Sequence, residues 1–164
     1  MAKHLDVHCC MKQNVVFGHP EMTVREAAAL MAANHVGTLP IVAAMSKLVG
    51  VITMRDVIQI FLPDFVFLLS NIQFVKDYGN LGAPSEESVQ RATKLLVADI
   101  MEEPISAEES CTLIRALSIM EKYGVADLPV VRGGKLVGLA SRVDIGRAFL
   151  SSWLDLQVGD ARAH

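Results

Sequence analysis

The sequence predicts an α+β fold in which two copies of one small unit pack together. A motif consisting of Leu-Pro-[Ile/Val]-Val, then Lys-Leu-Val-Gly, then [Thr/Ser]-x-x-Asp occurs twice, at 39–56 and at 128–144. Each copy contains two short apolar segments and is flanked by stretches rich in Ala, Leu and Met, which favour helices. An internal repeat of this kind decides the architecture. We therefore interpret the chain as two repeats of about 55–60 residues.

Matches outside the motif set the expected boundaries. The segment Val7–Met11 matches Val97–Met101, and Thr23 matches Thr112, 89 positions further on. The expected organisation is a first repeat, a connector that is largely helical, a second repeat and a tail, at 5–62, 63–94, 95–154 and 155–164.

The first repeat opens with an extended lead-in at 14–17 and a helix. Thr23 and Glu26 have the spacing of a capping box, so the pattern predicts a helix over 26–34. We expect Gly37 to end this helix.

Two strands and a second helix follow in the first repeat. The apolar segments 39–43 and 48–52 predict the strands. Thr53 should cap a helix that begins at Met54 and ends at Pro63.

The second repeat predicts the same elements in the same order. Gly124 should end its first helix, and Gly133-Gly134 is typical of a two-residue hairpin turn. A two- or three-stranded sheet cannot be covered by one repeat, so the two repeats should pack face to face. The predicted helix, strands and final helix lie at 114–122, 128–132, 136–140 and from Ser141 toward Trp153.

Composition excludes several classes of function. The 164 residues are 52% hydrophobic and carry a net charge of −3 with few aromatics, which argues against a nucleic-acid-binding surface. The most apolar stretch, 58–75, is interrupted by Pro63 and Asp64, so we expect no membrane span. Three cysteines and a polar N-terminus indicate a reducing cytoplasm.

The ordered motifs resemble the CBS domain in its tandem form, the Bateman module. The resemblance covers all but the extreme termini and 63–94. The residues that carry it are Met11, Val15-Val16, 24–27, 36–42, 48–53 and Asp56 in the first copy, and 99–101, 125–131, 136–138, Ser141 and Asp144 in the second.

The resemblance implies β-α-β-β-α units that pack through their sheets as a pseudo-twofold pair with two related clefts. In many relatives such clefts bind adenosine-containing ligands, so AMP, ADP or ATP is the expected ligand, with no obligatory cofactor. It also implies a non-catalytic regulator, a homodimer and a regulated partner protein. The alternative is a scaffold for dimerisation or docking whose clefts hold no physiological nucleotide.

The [Thr/Ser]-x-x-Asp motif has a chemical interpretation. A carboxylate in the first turn of a helix is favoured by the helix dipole and can accept hydrogen bonds from the two hydroxyls of a ribose. Arg55 and Arg142 would face phosphate. The plain alternative is that Thr53 and Ser141 are helix caps. The predicted nucleotide-binding residues are Thr53, Arg55, Asp56, Val15, Val16, Thr38, Leu39 and Pro40 in the first cleft, and Ser141, Arg142, Asp144, Pro104, Ile105, Leu128 and Pro129 in the second.

The two clefts should differ. Asp127 occupies the position that Thr38 holds in the first repeat, and its carboxylate would repel phosphate. The Asp56 cleft is therefore the expected anion site.

Neither a metal site nor a catalytic site is expected. His4, His8, Cys9 and Cys10 fit no standard zinc spacing, and no nucleophile with a base and an orienting residue can be named. The apolar connector, with Phe65, Phe67, Leu68, Leu69 and Phe74, is expected to cover a dimer face. The alternative is a loose connector between the repeats.

Overall fold

The computed structural model describes residues 5–61 and 84–161. They form two compact units, which we name after the aspartate of the motif that each contains. The Asp56 unit consists of the described parts of 16–42 and 50–103. The Asp144 unit consists of the described parts of 1–15, 43–49 and 104–164. Mixed helices and small sheets confirm the predicted α+β class.

Within the described residues, the Asp56 unit contains four helices, one complete strand and most of a second. Strands β1 and β2 form a two-stranded sheet, and β2 begins in the Asp144 unit. The elements are α1 (Val24–Asn34), β1 (Thr38–Val42), β2 (Leu48–Thr53), α2 (Met54–Phe61), α3 (Glu86–Lys94) and α4 (Val97–Ile100). The predicted apolar dimer surface of the connector lies outside the described residues.

The Asp144 unit contains a three-stranded sheet in the order β3-β4-β5. Strand β3 runs parallel to β4, and β4 pairs antiparallel with β5. Gly133 and Gly134 join these two strands with φ values of 56° and 79°, as expected for a two-residue turn. The elements are two 3-10 turns (Val7–Cys9 and Ala44–Ser46), β3 (Ala107–Glu108), α5 (Leu113–Tyr123), β4 (Asp127–Arg132), β5 (Lys135–Ser141) and α6 (Arg142–Ala161).

The helix ends explain where sequence reasoning succeeded. Thr23 accepts a hydrogen bond from the Glu26 amide at 3.2 Å, and its own amide donates to the Glu26 carboxylate at 2.8 Å, so the capping box is confirmed. Gly124 ends α5 with φ 65°. The prediction for Gly37 was wrong because His35 takes the left-handed conformation, with φ 52°, and ends α1 two residues earlier.

The cores are apolar and lie between helices and strands of one unit. In the Asp144 unit α5 and α6 pack on the sheet around fully buried Met120, Leu128 and Ile145. Burying each such side chain contributes roughly 1.5–3 kcal/mol. The Asp56 unit buries Val24, Ala27, Met31, Leu39, Ile41, Ile52 and Val57.

Each unit takes its lead-in from the other sequence repeat. In the Asp144 unit Lys12 and Leu139 exchange backbone hydrogen bonds of 2.8 and 2.9 Å. In the Asp56 unit Glu102 and Val51 do the same at 3.0 Å in both directions. Each pairing sits two residues before the hydroxyl of the motif, so both lead-ins use the same register.

A methionine and a glycine lock each lead-in in place. Met11 packs directly over Gly138, and Met101 packs over Gly50, so closely that a Cβ on either glycine would overlap the methionine sulfur. A side chain larger than that of glycine at either position would therefore have to displace the methionine of the lead-in.

Candidate functional site

The Ser141–Asp144 motif forms a closed hydrogen-bonded box at the start of α6. The Ser141 hydroxyl and amide donate to Asp144 Oδ2 at 2.6 and 3.2 Å, and the Asp144 amide donates to the Ser141 hydroxyl at 3.1 Å. Strand β5 ends at Ser141, so the strand-to-helix junction holds the carboxylate at the helix N-terminus. The box satisfies first-turn amides and orients the carboxylate.

Two cations accompany the Asp144 carboxylate. Lys12 Nζ lies 3.9 Å from Oδ2, and Arg147 follows one turn along α6. Burial raises the pKa of Asp144, but the hydrogen bonds from Ser141 and the charges of Lys12 and Arg147 outweigh burial and hold it below its ordinary value. Asp144 is therefore ionised at neutral pH.

An open pocket of about 270 Å³ adjoins this carboxylate. Its walls are Asp144, Arg147, Ala148 and Ser151 from one face of α6, and Cys10 from the lead-in. Sequence reasoning selected only Asp144 among them. The spacing 144, 147, 148 and 151 marks one helical face and could have identified the α6 residues.

The Thr53–Asp56 motif forms the same box at the start of α2. The Thr53 hydroxyl and amide both donate to Asp56 Oδ2 at 2.7 Å, and the Asp56 amide faces the Thr53 hydroxyl at 3.4 Å. Both motifs are therefore helix caps, and in each of them one carboxylate oxygen accepts the hydrogen bonds of the cap.

The charged surroundings of the two boxes differ. Because the lead-ins share one register, Glu102 takes the place beside the Asp56 box that Lys12 takes beside Asp144. One turn after the aspartate, Gln59 stands where α6 has Arg147. Two cationic side chains of the Asp144 unit, Lys12 and Arg147, are thus replaced at the matching places of the Asp56 unit by acidic Glu102 and neutral Gln59.

The two predicted phosphate arginines have different surroundings. Arg55 is exposed, and no ion pair with it occurs among the residues that the structure describes. Arg142 donates to Glu121 Oε2 at 2.8 Å and to the backbone oxygen of Val125 at 3.3 Å, so its guanidinium faces the end of α5.

The other predicted site residues divide between the units. Asp127 lies opposite Ser141 in the pairing of β4 with β5, close to the second box. Thr38, Leu39 and Pro40 are buried on β1, and Leu128 and Pro129 are buried on β4. Val16 belongs to the Asp56 unit, whereas Val15, Pro104 and Ile105 belong to the Asp144 unit.

Metal ligands and membrane-spanning helices are absent from residues 5–61 and 84–161. No group of three His, Cys, Asp or Glu side chains there could hold a metal ion. His4 lies outside this part of the chain. Within the same ranges, no helix combines the length and apolarity that crossing a bilayer requires.

The repeated motif, the exchanged lead-ins and the two boxes can be compared with known families. The family model described as "CBS domain" matches residues 5–63 and 97–151. The chain belongs to the CBS domain family. Its two matches confirm the resemblance to a tandem CBS module.

Two curated proteins resemble this chain over most of its length. An uncharacterized 17.7 kDa protein of Acidianus ambivalens is 27% identical over 132 residues, and inosine-5'-monophosphate dehydrogenase of Staphylococcus epidermidis is 29% identical over 136 residues. Each match covers 80% of this CBS chain. The chain spans 65% of the Acidianus protein and 22% of the dehydrogenase.

A solved structure with the same fold contains a nucleotide. The crystal structure of CBSX2, a CBS-pair protein of Arabidopsis thaliana, in complex with AMP is 26% identical and has a TM-score of 0.66. The comparison covers 90% of this chain and 97% of CBSX2.

Proposed function

We propose that this CBS chain is a non-catalytic regulatory module that binds an adenine nucleotide, AMP, ADP or ATP, in the pocket beside Asp144. The observation that carries the proposal is the combination of an ionised carboxylate and a guanidinium in the walls of one open pocket. The AMP complex of CBSX2 supports the choice of ligand class.

The side chains suit the parts of a nucleotide. Asp144 Oδ2 is held by Ser141, and the carboxylate can accept hydrogen bonds from ribose hydroxyls. Arg147 in the wall and Lys12 at 3.9 Å from Asp144 supply positive charge for phosphate. A pocket of about 270 Å³ is near the lower end of the volumes that hold small ligands.

This proposal revises the expected order of the two sites. Asp127 alone disfavoured the Asp144 site in the expectation from sequence, which did not include Lys12 and Arg147. Lys12, 3.9 Å from the Asp144 carboxylate, and Arg147 in the pocket wall add two positive charges that favour phosphate. The Asp56 box, with Glu102 at the matching place, suits a ligand of lower charge, such as a nucleoside.

Regulation of a partner protein is part of the proposal. The dehydrogenase relative is a larger chain of which this sequence spans 22%, which fits a regulatory part acting on another protein or domain. A homodimer is also proposed, because α6 exposes a row of apolar side chains. Val143, Leu150 and Trp153 are 67%, 55% and 50% exposed. The same row favours the second candidate function, a docking scaffold.

Titration calorimetry with AMP and adenosine tests the proposal on the parent, Asp144→Asn and Asp56→Asn. Loss of a charge-assisted hydrogen bond costs about 1.5–3 kcal/mol, so Asp144→Asn should weaken AMP binding roughly 10- to 100-fold. Asp56→Asn is the matched control and should leave the Asp144 site intact.

Equal loss in both variants would show that AMP does not prefer the Asp144 site. A folded parent that binds no adenosine ligand would favour the scaffold. Sedimentation of the parent then tests the dimer directly.

A further inference from the structure

Two adjacent thiols end the 3-10 turn of the lead-in. Cys9 is exposed and Cys10 is partly buried, and both are free thiols. Cys10 Sγ lies 3.5 Å from the backbone oxygen of Val7, its hydrogen-bond acceptor. The matching residues of the second repeat are Asp99 and Ile100, so the pair is a feature of one unit only.

The partly buried thiol belongs to the wall of the Asp144 pocket. Cys10 faces Asp144, Arg147, Ala148 and Ser151 there. Burial raises the pKa of Cys10 to about 11, and the neighbouring Cys9 and the charge of Asp144 add to the effect. Cys10 is therefore protonated at neutral pH, and an oxidant from solvent meets the exposed Cys9 first.

We propose that Cys9 and Cys10 are a reversible modification site at which a peroxide joins the two sulfurs as an intrachain disulfide and alters the pocket wall. In the first step Cys9 sulfur attacks a peroxide oxygen, the O–O bond breaks, and Cys9 sulfenic acid and water form. In the second step Cys10 sulfur attacks the Cys9 sulfur, and the hydroxyl leaves with the Cys10 proton as water. Two thiols and one hydrogen peroxide give one disulfide and two waters.

Closing this ring must disturb the backbone. Neighbouring Cα atoms across a trans peptide are about 3.8 Å apart, whereas disulfides usually join Cα atoms about 4.4–6.8 Å apart. The chain after the pair is held by Met11 over Gly138 and by the Lys12–Leu139 hydrogen bonds. The backbone at Cys9 and Cys10 must therefore move, and Cys10 belongs to the pocket wall.

The same disturbance makes the modification reversible. Strained disulfides are easier to reduce than relaxed ones and are typical of regulatory sites. A reducing compartment would return the pair to thiols once the peroxide is gone. The effect on ligand binding rests on the proposed function, whereas formation of the disulfide does not.

Mass spectrometry tests the modification on the full chain. The reduced parent is treated with hydrogen peroxide, and the tryptic peptide that ends at Lys12 should lose two hydrogens and regain them with dithiothreitol. Cys111→Ser is the control that should behave like the parent, whereas Cys9→Ser should lose no hydrogens. Three results would overturn the proposal: a disulfide to the Cys111 peptide, a disulfide between two chains, or Cys9 sulfinic acid beside a free Cys10.

Calorimetry with AMP tests the consequence for the pocket. Oxidised parent should bind AMP about tenfold more weakly than reduced parent and recover with dithiothreitol, whereas peroxide should not change binding by Cys9→Ser. Unchanged affinity with the disulfide formed would refute the effect on the pocket. If the reduced parent binds no adenosine ligand, the proposed function fails, and the peptide mass alone decides for or against the modification site.

Discussion

The two units share one backbone design and differ in the charges placed on it. Each holds a [Thr/Ser]-x-x-Asp box at a strand-to-helix junction, and each receives a lead-in in the same register. Lys12 approaches Asp144, but Glu102 occupies the matching place beside Asp56. Binding preference in a repeat protein of this kind can thus change at lead-in side chains while the hydrogen bonds that hold the fold are kept.

The comparison also separates two roles of the boxes. As helix caps the two are equivalent, because each hydroxyl and amide bind one Oδ2. As candidate ligand sites they differ, because Asp144 has a cation within 4 Å and lies in the wall of an open pocket, whereas no ion pair with Asp56 occurs among the residues that the structure describes. The motif alone therefore predicts the helix cap, whereas the charged residues around it determine which ligand can bind.

The largest expected effect comes from forcing a lead-in out of its unit. Gly138→Val should lower the free energy of unfolding by about 1–3 kcal/mol, because its side chain would overlap Met11. A Cβ there would also lie 3.2 Å from the Lys12 carbonyl oxygen, whereas the three atoms nearest to a Cβ at Gly50 all belong to the flexible Met101 side chain. Gly50→Val should therefore cost less. Urea unfolding of both variants measures the difference.

Met11→Ala is the matched second change. It removes the side chain that a valine at 138 would overlap. Gly138→Val should therefore lower the free energy of unfolding less in the Met11→Ala background than in the parent. If the two changes are additive, Met11 does not lock the lead-in.

The sequence predicts the local features of both units but not the exchange of lead-ins between the repeats. Thr23, Gly124 and the Gly133-Gly134 turn act within a few residues, so their patterns predict them. The left-handed turn at His35 was missed because Gly37 offered a more usual residue for that conformation. Lys12 and Cys10 were missed as site residues because they reach Asp144 through pairing with Leu139, far away in sequence, which no local pattern encodes.

The second prediction tests the charge difference between the sites. Lys12→Gln should weaken AMP binding at the Asp144 site about threefold to tenfold and adenosine binding by less than about twofold, since an exposed lysine acts on phosphate through screened attraction. Calorimetry with both ligands measures the contrast. Lys135→Gln, which removes an exposed lysine at the other end of β5, should change neither affinity.

Asp127 offers the opposite change at the same site. Asp127→Asn should strengthen AMP binding there if its carboxylate faces the phosphate, as the sequence argument expects. A gain in Asp127→Asn with no loss in Lys12→Gln would restore the order of sites expected from sequence.

The smallest expected effect is the acid sensitivity that Asp144 adds to folding. Burial raises its pKa, but the Ser141 hydrogen bonds and the charges of Lys12 and Arg147 together lower it by more than burial raises it. The folded-state pKa therefore lies below the unfolded value of about 3.9. Ionised Asp144 therefore stabilises the fold above about pH 3.9, and this contribution is lost as the pH falls through the lower, folded-state pKa.

Thermal melting of the parent and Asp144→Asn measures this contribution. Between about pH 6 and pH 3 the melting temperature should fall more steeply for the parent than for Asp144→Asn. Glu26 and Glu109, whose pKa values are also lowered by hydrogen bonds, are present in both proteins, so the difference between the curves reports Asp144. Parallel curves would mean that the Ser141 box and Lys12 do not favour the charged form of Asp144.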